Sequence, residues 1–319
     1  MNTIWGALVG DACGATLEGR CHLRVEDVEK ALEMPGGGKL RVGPAQITDD
    51  GELTLALWTV MRTRTSEFPI QQVAHAYAAW YESCPFDMGM TCSLAFERIS
   101  EWDKLSEEWE TVQSDIMKLS PNSEANGAMM RSTPIAAWWA LHPLETEEET
   151  ARKAAADADL DAALSHPSPV TRSANAVYIY ALTLLLLGVS PQQVAARVYA
   201  YDAHPTVKDW IVESQRDWAG LSDTQTAIGH VRHGFVSALW FLQRPEIGYR
   251  EALRMILLEG GDTDTNAAIV GGLVACYQPI PEDMKEKVKS FDATQNGKWP
   301  TRPKEYVPLY QMVASDTMM

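Results

Sequence analysis

Glu259-Gly260-Gly261-Asp262-Thr263-Asp264-Thr265-Asn266 runs directly into the apolar stretch Ala267-Ala268-Ile269-Val270-Gly271-Gly272-Leu273-Val274-Ala275. Two glycines permit a tight backbone path, and Thr265 or Asn266 is placed to cap the helix that follows. Asp262, Asp264 and Thr265 then point into one small volume from a helix entrance. Three hard oxygen donors are the ligand set expected for Mg²⁺, Mn²⁺ or Ca²⁺ and not for Zn²⁺. For this stretch alone, a pair of caps on a buried helix is the better explanation.

A second stretch alters that weighing. Thr48-Asp49-Asp50-Gly51-Glu52 opens the apolar run Leu53-Thr54-Leu55-Ala56-Leu57-Trp58-Thr59-Val60-Met61, again with Thr and two Asp at a helix start. Adjacent carboxylates repel one another, and a dication between them removes the penalty. Complementing the helix dipole would account for Asp49 and Asp50 alone, at about 0.3–1 kcal/mol. Two such clusters at opposite ends of the chain instead predict one shared dinuclear site. A site needing both ends argues for a single domain over 1–319, with the Pro- and Lys-punctuated tail from about 293 the least tied to it.

The rest of the chain reads as helix throughout. Helical spacing predicts elements over 51–64, 70–82, 91–100, 169–188, 191–201, 205–218, 225–243, 248–259, 264–277 and 281–291, with a short one at 306–313. Alternation of the strand type is nearly absent, and no equal-period repeat marks a solenoid. The expected fold is therefore all-α, a compact orthogonal helical bundle. Trp102 and Trp109 stand seven apart, which suits one helix face docked on the surface. At the N-terminus, Ile4-Trp5-Gly6-Ala7-Leu8-Val9-Gly10-Asp11-Ala12-Cys13-Gly14-Ala15 spaces small residues for close helix packing and ends near Glu18. A carboxylate at a helix C-terminus is electrostatically disfavoured, a weak sign of function.

Composition excludes several classes. With 319 residues, 46% hydrophobic and 22% charged, the chain is globular and long enough to bury a large core. A net charge of −16 speaks against nucleic acid as a partner, because phosphate-backbone binding needs a basic face. There is no run of about 18 apolar residues, so no membrane span is expected. Five cysteines without a CxxC pair fit buried thiols in a reducing, cytoplasmic setting.

The motifs, in order, resemble the ADP-ribosylglycohydrolase family, which includes dinitrogenase-reductase-activating glycohydrolase and the ADP-ribosylhydrolases. They are Gly6 to Ala15 with Glu18; Thr48-Asp49-Asp50; Asp87-Met88-Gly89; Asn126-Gly127-Ala128-Met129-Met130-Arg131; Ser165-His166-Pro167; and Gly260-Gly261-Asp262-Thr263-Asp264-Thr265. The resemblance implies two divalent cations, Mg²⁺ or Mn²⁺, on Thr48, Asp49, Asp50, Asp262, Asp264 and Thr265. It implies ADP-ribose contacts at Ser123, Asn126, Gly127, Gly89 and His166. Asn122 and Ala125 depart from the glycine-richer loops common in the family. The implied reaction removes ADP-ribose from a modified protein side chain, with arginine the first choice. Glu18, Asp50 and Asp87 are the acid/base candidates. ADP-ribosyl-serine, O-acetyl-ADP-ribose, or a non-catalytic ADP-ribose binder or structural member are the alternatives.

Overall fold

The computed structural model describes residues 2–291 apart from 66, 106 and 219–223. The segment 293–319 and its expected helix at 306–313 lie outside the described residues. Among the described residues fifteen helices follow in chain order: α1 (Asn2–Gly14), α2 (Val25–Leu32), α3 (Asp49–Met61), α4 (Ile70–Glu82), α5 (Met90–Leu105), α6 (Trp109–Leu119), α7 (Thr133–Leu141), α8 (Glu147–Ala163), α9 (Pro169–Leu186), α10 (Pro191–Tyr199), α11 (Pro205–Glu213), α12 (Val231–Leu242), α13 (Tyr249–Leu258), α14 (Thr263–Val274) and α15 (Glu282–Lys289). Among the described residues there is no strand, only the isolated bridges Gly37–Val42 and Ala125–His230. No described helix is long and apolar enough to cross a membrane.

Local chemistry explains several helix starts. Proline occupies the first turn of α9, α10 and α11, where a missing N–H costs nothing. Ser190 caps α10 by accepting from the Gln193 N–H, and His230 caps α12 by accepting from the Arg232 N–H through Nδ1. That cap shortens the expected 225–243 helix, because residues 224–230 fold against the turn that precedes α14. Thr224 and Gln225 both donate to the Glu259 carbonyl there.

Three further expectations are corrected. Trp102 and Trp109 do not share a helix face: they lie on α5 and α6, with ring centroids 4.6 Å apart. The chain reverses between them, and Trp102 Nε1 donates to the Glu107 carbonyl in the turn (2.8 Å). The N-cap of α14 is Asp262, neither Thr265 nor Asn266, so Asp264 and Thr265 sit inside the first turn. The thiols are not all buried either: Cys21 and Cys84 are exposed, in connecting segments, and all five are free.

The packing that matters for function is the antiparallel pair α1–α14. A Cβ on Gly6 would stand 2.3 Å from the Gly271 oxygen, one on Gly10 2.1 Å from the Ala267 oxygen, and one on Gly14 2.4 Å from Asp264 Cα. Glycine at every fourth position lets two backbones touch, which offsets its helix-propensity cost of about 1 kcal/mol per site. Hydroxyls clasp the pair along its length: Thr3 to Gly272 O (2.8 Å), Tyr249 to Gly6 O (2.6 Å) and Thr263 to Gly14 O (2.8 Å). The C-terminal end of α1 is thereby set against the N-terminal end of α14.

Candidate active site

The first acidic cluster is built by two helices. Thr48 begins α3 but its side chain makes no cap; the free N–H groups of that end go to Asp11 of α1. Asp11 Oδ2 accepts from the Thr48 N–H (2.9 Å) and the Gly51 N–H (2.9 Å). The Thr48 hydroxyl lies within hydrogen-bond distance of Asp11 Oδ1 (2.9 Å) and Asp50 Oδ2 (3.2 Å). Asp11 thus caps α3 from another helix and fixes where Asp49 and Asp50 stand. Sequence reasoning quoted Asp11 within a motif but gave it no role. The available signal was a carboxylate alone in an otherwise uncharged helix.

The second cluster meets the first at Asp50. Thr265 donates its hydroxyl to Asp50 Oδ2 (3.2 Å) across the two ends of the chain. Carboxylate oxygens of Asp11, Asp50 and Asp264 lie within 4.8 Å of one another, and those of Glu18, Asp262 and Asp264 do likewise. Asp264 belongs to both groups. Asp50 Oδ1 is buried without a hydrogen-bond partner, whereas Glu18 Oε2, also buried, has the Lys39 ammonium 3.6 Å away. A buried acceptor left unpaired costs the full desolvation penalty of the group, unless something cationic comes to it.

Electrostatics agree with that incompleteness. Burial first, then repulsion from neighbouring aspartates, holds Asp49, Asp50 and Asp264 well above the usual carboxylate range. Burial raises Asp11 to about 7, against the lowering effect of its bonds from Thr48 and Gly51. Glu18 is raised by burial and by Asp262, with Lys39 pulling the other way from 3.6 Å. An all-oxygen set crowded with like charge suits a hard dication.

Glu18, Asp49, Asp50, Asp262 and Asp264, though not Asp11, line a cleft of about 290 Å³. Of the residues singled out from the sequence, Glu18, Asp49, Asp50, Asp87, Gly89, Asn126, Gly127, His166, Asp262, Asp264 and Thr265 reach it. Two do not line it. Thr48 is fully buried beside Asp11 and Asp50, and the Ser123 hydroxyl pairs with Thr91 (2.9 Å). Asn126 donates through Nδ2 to Asp262 Oδ2 (2.7 Å), so it reaches an acidic side chain as well as the cleft. Its loop is pinned by Asn126 N–H to Gly229 O (3.0 Å) and by buried Arg131, which donates to the Gly127 carbonyl (2.9 Å) and to Asp161 (3.2 Å). The His166 Nδ1 pairs with the Ser165 hydroxyl (2.9 Å). Burial and the Arg131 charge push His166 down to about 3, so it faces the Gly127 turn as a neutral ring. Burial also raises Asp87, and Asp49 accepts from the Gly89 N–H (3.4 Å).

The fold is all-helical among the described residues, with an acidic, oxygen-lined cleft at the N-termini of α3 and α14. Comparison with known proteins makes the assignment closer. The model of the ADP-ribosylglycohydrolase family matches residues 1–305, and the chain belongs to that family. It is 27% identical over 316 residues to a protein of Acanthamoeba polyphaga mimivirus named for ADP-ribosyl glycohydrolase activity, covering 92% of each. It is 23% identical over 307 residues to an ADP-ribosylarginine hydrolase of Serratia proteamaculans, covering 91% of this chain and 75% of that protein. A solved ADP-ribosylglycohydrolase-related protein complex contains a chain of the same fold, with TM-score 0.67 and 22% identity over 90% of this chain and 94% of that one. The family match makes the protein an enzyme of the ADP-ribosylglycohydrolase type.

Proposed function

We propose that the enzyme removes ADP-ribose from modified arginine on a protein, cleaving the N-glycosidic bond at C1″ of the distal ribose with two divalent cations. The observation that carries this reading is the unpartnered, buried Asp50 Oδ1 among carboxylates converging from α3 and α14. Thr48, Asp49, Asp50, Asp262, Asp264 and Thr265 would hold the ions. Bound there, Mg²⁺ or Mn²⁺ would lower the pKa of water and stabilise developing negative charge.

The chain's own groups do the rest. Asp50 already takes hydroxyls from Thr48 and Thr265 on one oxygen, which suits it to holding position. Glu18 lines the cleft with its pKa raised by burial and by Asp262, which suits it to carrying the proton for the departing guanidine nitrogen. Asp87 also lines the cleft and is likewise raised by burial. Asn126, Gly127, Gly89 and neutral His166 line the wall against which the ADP-ribosyl group would lie. The arginine acceptor follows the reading of the motifs and agrees with the name of the Serratia relative. The test is release of ADP-ribose from an arginine-modified protein with Mn²⁺ or Mg²⁺ and with EDTA. Metal-dependent release is expected. Metal-independent release would remove the cations from the mechanism, and release from serine-linked conjugates alone would replace the acceptor.

A further inference from the structure

Met90 is 79% exposed at the first position of α5, and it also lines the cleft. One turn along α5 comes Leu94, also exposed, and the facing end of α6 exposes Met117 and Leu119. Two contacts fix the register of this hairpin: Arg98 Nη2 to Asp115 Oδ2 (2.9 Å) and Thr91 to Ser123 (2.9 Å). Leu94 and Leu119 fall between these two rungs, on the end of the hairpin next to Met90. Of the eleven large hydrophobic side chains exposed among the described residues, Met90, Leu94 and Leu119 lie at this end of the hairpin, while Met117, two residues from Leu119, points to the other side of α6. Single exposed hydrophobics need no explanation, but a group at the rim of a site does. The basic side chains of this end are already paired: Lys118 with Asp115 (3.3 Å), and Arg98 with Asp115 and Glu107.

We propose that this end of the α5–α6 hairpin docks the polypeptide that carries the modified side chain, receiving an apolar residue that flanks it in sequence. The inference rests on the reading of the cleft given above. An ADP-ribosyl group entering a cleft of about 290 Å³ leaves its acceptor at the mouth, and the acceptor's backbone must then cross the rim. Met90 belongs to both surfaces, so the apolar patch continues the cleft wall outward onto the path that backbone takes. A free ADP-ribosyl-arginine has no flanking residue and does not reach the patch. The contact is apolar, so its contribution resists salt, whereas attraction to the acidic cleft is screened.

The test uses the full chain with Mn²⁺ and the double variant Leu94→Ser/Leu119→Ser, whose positions lie outside the cleft. Two substrates are compared: free ADP-ribosyl-arginine, and a protein mono-ADP-ribosylated on an arginine next to leucine or phenylalanine. For the protein, kcat/KM should fall about tenfold through KM, the loss typical of truncating interface anchors. For the free conjugate both constants should stay at the wild-type value. Equal behaviour of the variant and wild type on the protein, or equal loss on both substrates, overturns the docking surface and leaves the reaction standing. Wild-type inactivity on both conjugates overturns the reaction and the surface with it. A wild-type dimer that the double variant converts to monomer would make a second copy of the chain the occupant and also overturn the proposal.

Discussion

Asp264→Asn separates a metal ligand from a structural carboxylate more cleanly than any other change. Asp264 lies 2% exposed in the first turn of α14, and Asp262 is the cap, so no capping bond is at stake. Its Oδ1 accepts the Thr265 N–H (3.0 Å), a bond the asparagine oxygen can keep. In EDTA the variant should therefore fold, with unchanged circular dichroism. Its melting temperature should equal or exceed wild type, because a charge pressed on by Asp262, Asp50, Asp11 and Glu18 has been removed. With metal the order reverses. A ligand present at about 100 times its Kd stabilises a protein by ~2.7 kcal/mol. Loss of a charged ligand shared by both oxygen clusters should weaken binding by at least ~100-fold, the upper end of what even outer partners cost. At the same metal concentration the gain then falls to about 0.4 kcal/mol. At roughly 2 °C per kcal/mol for a chain of this size, Mn²⁺ should raise the wild-type melting temperature by ~5 °C and the variant's by under ~1 °C. Scanning calorimetry with and without Mn²⁺, paired with ADP-ribose release, reads both numbers. A variant with the full Mn²⁺-induced rise and normal turnover would refute the role given to Asp264.

Three further outcomes follow from named contacts. Carboxylates whose folded pKa is raised favour folding when protonated, so their contribution is complete below the unfolded value near 3.8 and is lost as pH rises through about 7 for Asp11. Thermal melts in EDTA should accordingly give a higher midpoint at pH 5.5 than at pH 8, and saturating Mn²⁺ should shrink that difference. Gly10→Ala forces a methyl to 2.1 Å from the Ala267 carbonyl and should cost about 1–3 kcal/mol or more by urea titration, whereas Gly248→Ala meets nothing within 4 Å and should cost far less. Asp11→Asn removes the charge that takes two N–H groups at the start of α3, and Mn²⁺ affinity by isothermal titration should fall about 10–100-fold.

The helical class and both acidic clusters were legible because each is carried by local pattern: a polar, Asp-bearing turn entering an unbroken apolar run. The oxygen-donor chemistry was legible for the same reason. What the sequence concealed depends on distant partners. Nothing around Asp11 says that its acceptors will be filled by Thr48 and Gly51, and nothing around Asn126 says that its amide will bind Asp262 rather than face only a substrate. Trp102 and Trp109 misled because seven residues span two helical turns as well as they span a reversal, and only the Glu107 carbonyl receiving Trp102 decides between them. The start of α14 was misplaced because Thr, Asn and Asp are comparable caps, and choosing among them needs the tertiary position of the Asp262 turn.

The glycine face of α1 links these levels. Without close approach at Gly6, Gly10 and Gly14, the two helices would stand farther apart, and Glu18 beyond the end of α1 would no longer lie beside Asp262 and Asp264. The same approach buries the carboxylates and so raises their pKa values. One packing device therefore both assembles the oxygen cluster and destabilises it in the absence of cations. Helix N-termini soften that penalty, since α3 and α14 both point their positive ends at the cluster, but at about 0.3–1 kcal/mol per charge they cannot cancel the repulsion of several buried aspartates. The remaining imbalance favours occupation by a dication, so substitutions that push the helices apart at Gly6, Gly10 or Gly14 should lower metal affinity and fold stability together, whereas Asp264→Asn should lower the affinity alone.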